Sequence, residues 1–312
     1  MDEALINSLG ERKIPFLVIS DFLAKRVEVI ELSKLNEADV SFSIDENYTF
    51  KKHPHKLEDT AIPFLSYKEK FDAVIEKIKA GETYVLNLTQ ATKIQTPLSL
   101  KEIYEEVNAH YKLRYKDEFV CFSPEKFIQI AENRIHTFPM KGTIDASIEN
   151  AKEKILSDAK EQAEHVMIVD LLRNDLSIVA EDVRVDRFRY ITKIAAGAKE
   201  LLQVSSHISG RLEEGWQAKL GTILKSLLPA GSISGAPKRS TLSIIEDVEG
   251  YDRGFFSGVF GVFDGEKFDS GVMIRFIEQS EDGYLYKSGG GITLDSDAYA
   301  EYNELLHKIY LP

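Results

Sequence analysis

The sequence predicts an α+β protein, on two observations. Residues 66–80, 143–172 and 296–310 carry apolar side chains at helical spacing. Residues 258–287 instead read as short strand-like runs joined by turns at Asp264-Gly265 and Asp282-Gly283, and connections that short force antiparallel pairing. Helices and antiparallel strands mixed in one chain pack as helices against sheets.

Each element follows in order. Residues 14–19, 27–30 and 40–44 are apolar and strand-like, so 1–65 is expected to be a short β-rich segment packed on a main domain of 66–312. The polar run from Lys51 through His53 and His55 to Lys56 ends that segment, and its two His residues read as a surface loop. From Ser66, Phe71, Ile75 and Ile78 share one helix face, and Gly81 stops it. Residues 84–88 alternate as a strand, and 100–111 read as a helix. Residues 127–130 and 134–138 form a hairpin around Asn133, ended by Pro139. Ala151, Ile155, Ala159 and Ala163 then line one helical face. Val166 to Leu172 is apolar all round and is expected to be buried. The last helix turns Ala298, Tyr302, Leu305 and Ile309 inward.

Composition excludes several classes. The 312 residues carry a net charge of −12 and no basic stripe interleaved with aromatics, so nothing would neutralise a row of phosphates and nucleic acid is not an expected partner. No apolar run approaches the ~20 residues needed to cross a bilayer, and Met1-Asp2-Glu3 opens no signal peptide, so a cytoplasmic chain without a membrane partner is expected. The single cysteine, Cys121, can make no internal disulfide.

Chemistry concentrates in a few places. Lys141, in Pro139-Met140-Lys141-Gly142-Thr143, is either a solvated charge or a nucleophile whose surroundings press its pKa down. Glu161 with Glu164, and Glu301 with Glu304, are pairs three apart on helices, so each pair can aim at one point. They are either solvated faces or, together, an oxygen-rich site for a hard cation such as Mg²⁺. Ser288-Gly289-Gly290-Gly291-Ile292-Thr293 is either a flexible turn or a carboxylate-binding nest with Arg275 as a bidentate partner. His165 is either a site residue or a satisfied core histidine. Ser234 and Lys238 match no hydrolase pattern.

These motifs occur in an order that resembles the chorismate-utilising enzymes: Ser123-Pro124-Glu125-Lys126, Pro139 to Thr143, Glu161-Gln162-Ala163-Glu164-His165, Asp170 to Asp175, Gly231 to Lys238, Gly289 to Thr293 and Glu301-Tyr302-Asn303-Glu304. The likeness covers 66–312 and implies one large domain with two antiparallel sheets facing each other and helices outside. Within the group, Lys at position 141 is similar to aminodeoxychorismate synthases, whereas anthranilate and isochorismate synthases usually carry Ala. The resemblance implies amination of chorismate for 4-aminobenzoate and folate, with ammonia from a separate glutamine amidotransferase subunit. It assigns Lys141 as nucleophile and Glu125 as general acid. Glu164 and Glu304 would bind Mg²⁺, supported by Glu161 and Glu301. Arg275, Gly290, Gly291, Ser232 and Thr143 would hold the substrate. Anthranilate- or isochorismate-type synthesis and a non-catalytic chorismate-binding subunit are the alternatives. Val85, Val262 and Leu202 depart from residues that relatives generally carry. No tryptophan-feedback motif is present, so tryptophan control is not expected.

Overall fold

A computed structural model describes residues 1–45, 48, 57–196 and 199–311; the Lys51–Lys56 run lies outside them. Two antiparallel sheets form its body. The first runs in the order Met140–Asp145, Lys199–Arg211, Arg134–Thr137, Lys126–Ala131, Phe268–Val272, Val259–Phe263, Phe16–Ser20, Val27–Glu31, with Glu181–Ala196 paired on Lys199–Arg211. The second runs Gly235–Ala236, Val85–Gln95, Gly283–Ile292, Phe276–Ser280, Phe119–Ser123, Tyr111–Tyr115, Val40–Ile44, with Glu58–Thr60 on Val85–Gln95.

The opening residues supply strands to both sheets. Phe16–Ser20 lies between Val259–Phe263 and Val27–Glu31, and all five of its residues are buried. Its side chains alternate between two core clusters, as a strand's period of two requires. Phe16 and Val18 join a cluster with Leu86, Phe127, Ile135 and Ile292. Leu17 and Ile19 join another with Tyr111, Phe119, Phe260 and Phe276. Each cluster draws on both sheets, so the sheets face each other across their shared cores. The helices Phe64–Lys79, Leu220–Leu227 and Lys238–Glu249 bury apolar residues against the first cluster.

Several local expectations give way to tertiary packing. The opening also carries an unforeseen helix, Glu3–Glu11, capped by the Asp2 carboxylate, which accepts from Leu5 N. The helix expected over 100–111 is Leu100–Glu106, and Tyr111–Tyr115 is a strand whose Tyr111, Leu113 and Tyr115 are fully buried. The expected single helix after residue 150 breaks at Asp158, whose carboxylate accepts from Glu161 N and restarts it as Ala159–Ser177. The apolar run on that helix is not wholly buried: Val166 and Met167 are 46% and 37% exposed. The run expected over 268–277 is two strands in different sheets, with Arg275 at φ 52° in the crossing. No helix among the described residues is long and apolar enough to cross a membrane.

Candidate active site

A cleft opens between the sheets and the Ala159–Ser177 helix. Val85, Glu125, Phe138, Lys141, Glu164, Ser232, Gly291 and Thr293 are among its lining residues. Its polar and reactive groups arrive from several elements. Glu125 follows Phe119–Ser123, where the Ser123 hydroxyl accepts from Glu125 N at 3.0 Å. Ser232 sits in the short turn Gly231–Ser234 and donates to Glu125 Oε1 at 2.6 Å. Burial pushes the Glu125 carboxyl above its ordinary pKa, against the Ser232 hydrogen bond and the charges of Arg275 and Lys308.

Lys141 lies on a strand, Met140–Asp145, rather than on a loop. The register of that strand shifts between Met140 and Thr143, where Gly142 adopts φ 87°. A side chain there would meet Glu161 Oε2 at 3.2 Å, so glycine clears room for the glutamate as well as for the bend. Lys141 Nζ lies 2.5 Å from Glu164 Oε2. Burial presses the amine's pKa down, but the Glu164 hydrogen bond and the charges of Glu164, Glu161 and Glu304 outweigh it and hold the pKa above that of an ordinary lysine. Lys141 is therefore the counter-ion of a carboxylate cluster, not a neutral amine, in this state.

Lysines answer the cluster on both sides. Lys160 approaches Glu164 Oε1 at 3.9 Å, and Lys308 donates to Glu304 Oε1 and to Gly289 O, both at 2.7 Å. Both are four residues from their glutamates on a helix, a spacing visible in the sequence. Burial raises the pKa of Glu161 and of Glu301, and Ser296 donates to Glu301 Oε1 at 2.9 Å. Glu161 Oε2 is buried without a hydrogen-bond partner. Gly290 leaves room between the last helix and the sheet, since a Cβ there would stand 3.3 Å from Glu301 Oε2 and 3.7 Å from Glu304 Oε1. These donors suit a hard divalent cation in kind: all are carboxylate oxygens, and one is an orphan. Among the described residues, no three acidic, His or Cys side chains already stand around one point.

The remaining sequence candidates divide. Gly291 lines the cleft, but the glycine run is no nest. It is part of the strand Gly283–Ile292, where Gly290 pairs with Leu88 and Gly291 with Asn87. Arg275 does not line the cleft; its guanidinium lies over the Tyr310 ring, 5.6 Å away, and reaches Glu125 only through its charge. Thr143 is exposed and also off the cleft wall. Val262 packs with the second core cluster, away from the cleft, whereas Val85 lines it. Lys238 is tied to Asp175 at 3.3 Å and to Leu227 O. The apolar wall of Phe127, Phe138, Met140, Met167, Ile168 and Leu172 was not foreseen; only the apolar stretch around Met167 hinted at it.

Residues 19–311 match the family described as chorismate binding enzyme. The chain belongs to that family. Uncharacterized PabA-like proteins of Pasteurella multocida and Haemophilus influenzae are each 46% identical to it, over 98% of this chain and 96% and 94% of theirs. Aminodeoxychorismate synthase component 1 of Bacillus subtilis is 30% identical over 82% of this chain and 57% of its own length. Anthranilate synthase component 1 of Archaeoglobus fulgidus is 33% identical over 78% and 61%. The menaquinone-specific isochorismate synthase of Escherichia coli superposes with a TM-score of 0.74 at 16% identity, over 97% of this chain and 79% of that one, which is a likeness of fold. The chain is thus one of a family of chorismate-utilising enzymes.

Proposed function

We propose that this family member aminates chorismate to 4-amino-4-deoxychorismate, a precursor of 4-aminobenzoate and folate, with ammonia from a separate glutamine amidotransferase subunit. The observation that carries the reading is an amine, Lys141, in the same cleft as a partly buried carboxyl, Glu125, whose pKa burial raises above the ordinary value. Glu125 would protonate the C4 hydroxyl, which leaves as water as Lys141 Nζ bonds to C2 and both double bonds of the ring diene shift toward C4. Ammonia would then bond to C4, both double bonds would shift back, and the C2–N bond to Lys141 would break. In the arrangement seen, Lys141 must leave Glu164 and shed a proton before it attacks. Magnesium, held by Glu164 and Glu304 with Glu161 and Glu301 in support, would supply positive charge toward an anionic substrate. Val85 gives the cleft an apolar wall that offers no base to activate water, which favours amine over hydroxide as the incoming group.

The test is an incubation with chorismate, Mg²⁺ and ammonium at alkaline pH, and the expected product is aminodeoxychorismate. Anthranilate fluorescence, or isochorismate formed without ammonia, overturns the reading. Without ammonia, mass spectrometry is expected to show a chorismate-derived adduct on the peptide containing Lys141. Lys141→Ala is expected to lower turnover by about 10³-fold or more while leaving chorismate binding largely intact. Near-normal ammonia-dependent turnover in that variant removes the nucleophile from the proposal.

A further inference from the structure

Behind Lys141 and Glu164, one buried hydroxyl joins the elements that carry them. Ser206, on Lys199–Arg211, is fully buried. Its backbone N–H donates to Pro139 O at 2.9 Å, two residues before Lys141. Its hydroxyl lies 2.7 Å from Nε2 of His165, the residue after Glu164. The same hydroxyl accepts from Arg189 N at 3.0 Å. The hydroxyl and Nε2 share one hydrogen bond, whose donor is set by the imidazole tautomer, while the hydroxyl's contact to Arg189 N occupies a separate lone pair. His165 is itself fully buried, with Phe188 edge-on at 5.9 Å, so its ring has no room to swing.

The third arm closes the assembly. Arg189, at φ 45° in a bulge of Glu181–Ala196, donates from Nη1 to Leu156 O at 2.9 Å and from Nη2 to Ile155 O at 3.2 Å. Those carbonyls end the Ala151–Ser157 helix, whose Ile155 Cδ1 lies 3.5 Å from the Cβ position of Gly142, beside Lys141. One serine therefore fixes the strand of Lys141, the helix of Glu164 and, through Arg189, the short helix packed at Gly142.

We propose that Ser206 and His165 are positioning residues that set the separation of the Lys141 amine from the Glu164 carboxylate. The inference rests on the reading of that pair as the working groups of the cleft. A buried node of this kind acts by geometry: a displacement of about 1 Å at the reacting groups costs up to about 10²-fold in rate.

Two measurements keep this inference separable from the proposed reaction. Zero-length carbodiimide coupling of the intact chain, read by mass spectrometry, reports the Lys141–Glu164 contact without any turnover. The Lys308–Glu304 pair, at 2.7 Å against 2.5 Å for Lys141–Glu164 and untouched by Ser206, is the internal reference. Ser206→Ala and His165→Leu are expected to lower the Lys141–Glu164 isopeptide severalfold relative to the reference. Ser206→Thr, which keeps the hydroxyl, and His165→Gln, which keeps a polar atom near Nε2, are expected to restore it. Turnover per folded molecule, at a temperature where circular dichroism shows each variant folded, is expected to follow the same order in kcat with KM little changed, falling about 10–100-fold for the first two. Unchanged coupling in Ser206→Ala and His165→Leu overturns the proposal, as does lost coupling with kcat intact. A parent chain that does not aminate chorismate overturns the reaction instead, and the coupling measurement alone then decides the positioning role.

Discussion

Glu125 is the residue whose environment makes the plainest claim. Burial raises its pKa and the Ser232 hydroxyl opposes the rise by favouring the charged form. A carboxyl with a raised folded pKa binds its proton more tightly in the native state. Its contribution to stability is therefore complete below the unfolded value and is lost as pH rises through the folded one. Glu125→Gln is accordingly expected to be more stable than the parent at pH 8, by about 1–2 °C in Tm, with the gap closing by pH 4. Equal thermal shifts at both pH values would show that the carboxyl is not strained by burial. Ser232→Ala removes the group that favours ionisation, so it is expected to move the alkaline limb of the kcat/KM profile to higher pH. A move to lower pH would contradict the assignment of Glu125 as acid.

At the level of elements, the strands Arg134–Thr137 and Lys199–Arg211 carry a histidine pair behind the cleft. His136 Nδ1 and His207 Nε2 are 3.0 Å apart, and the His207 ring stacks on Phe138, which lines the cleft. Burial lowers both pKa values, helped at His136 by His207 and Arg134 and opposed at both by Asp186. Groups with a depressed cationic pKa charge more readily when unfolded, so the pair costs stability as pH falls from about 6.5, each unit of depression amounting to about 1.4 kcal/mol. Urea melts at pH 7.5 and 5.0 are expected to show a smaller loss in His136→Gln than in the parent; an identical loss would place the acid sensitivity elsewhere. The hairpin of Lys126–Ala131 and Arg134–Thr137 was readable, because Asn133 takes φ 58° in the turn its residue type suggests, whereas the strand Lys199–Arg211 was not foreseen. Phe64–Lys79 was readable from its single apolar stripe. The division of 268–277 between two sheets was not, since period-two alternation carries no record of which sheet a strand joins. The glycine run misled for a related reason. Three glycines suggest a loop when read locally, but they pair along Val85–Gln95, Gly289 O accepts from Lys308 Nζ, and the missing side chain of Gly290 leaves space for Glu301 and Glu304 instead. Glu125, Lys141, Glu164 and Ser232, which line the cleft, were singled out by motif order, whereas the counter-charges of Lys160 and Lys308 were missed although their four-residue spacing from Glu164 and Glu304 was there to be read.

Across the whole molecule, the cleft depends on joints between elements distant in sequence, and the buried pair Arg253 with Glu249, four residues apart, anchors one of them. Their side chains are 2% and 1% exposed, with Nη2 to Oε1 at 2.7 Å. Arg253 also donates to Ile233 O, beside Ser232, and to Asn87 O, two residues from Val85. Glu249 accepts from Thr89 N and Oγ1, both at 2.8 Å. The pair therefore fastens the turn that presents Ser232 to the strand that forms the opposite part of the cleft lining. Such a pair gains little over apolar packing when whole, but removing one member leaves an uncompensated buried charge. Arg253→Met is expected to cost about 3–5 kcal/mol by urea melting. Glu249→Gln keeps an acceptor for Thr89 while removing the stranded charge, so the double variant Arg253→Met/Glu249→Gln is expected to recover part of that loss. It is not expected to recover Ser232's hold on Glu125, because Ile233 O and Asn87 O lose their shared donor in both variants. A double variant restored in stability yet still depressed in turnover would locate the role of Arg253 in shaping the cleft. A double variant no more stable than Arg253→Met would show that the lost backbone ties, rather than the unpaired carboxylate, account for the cost.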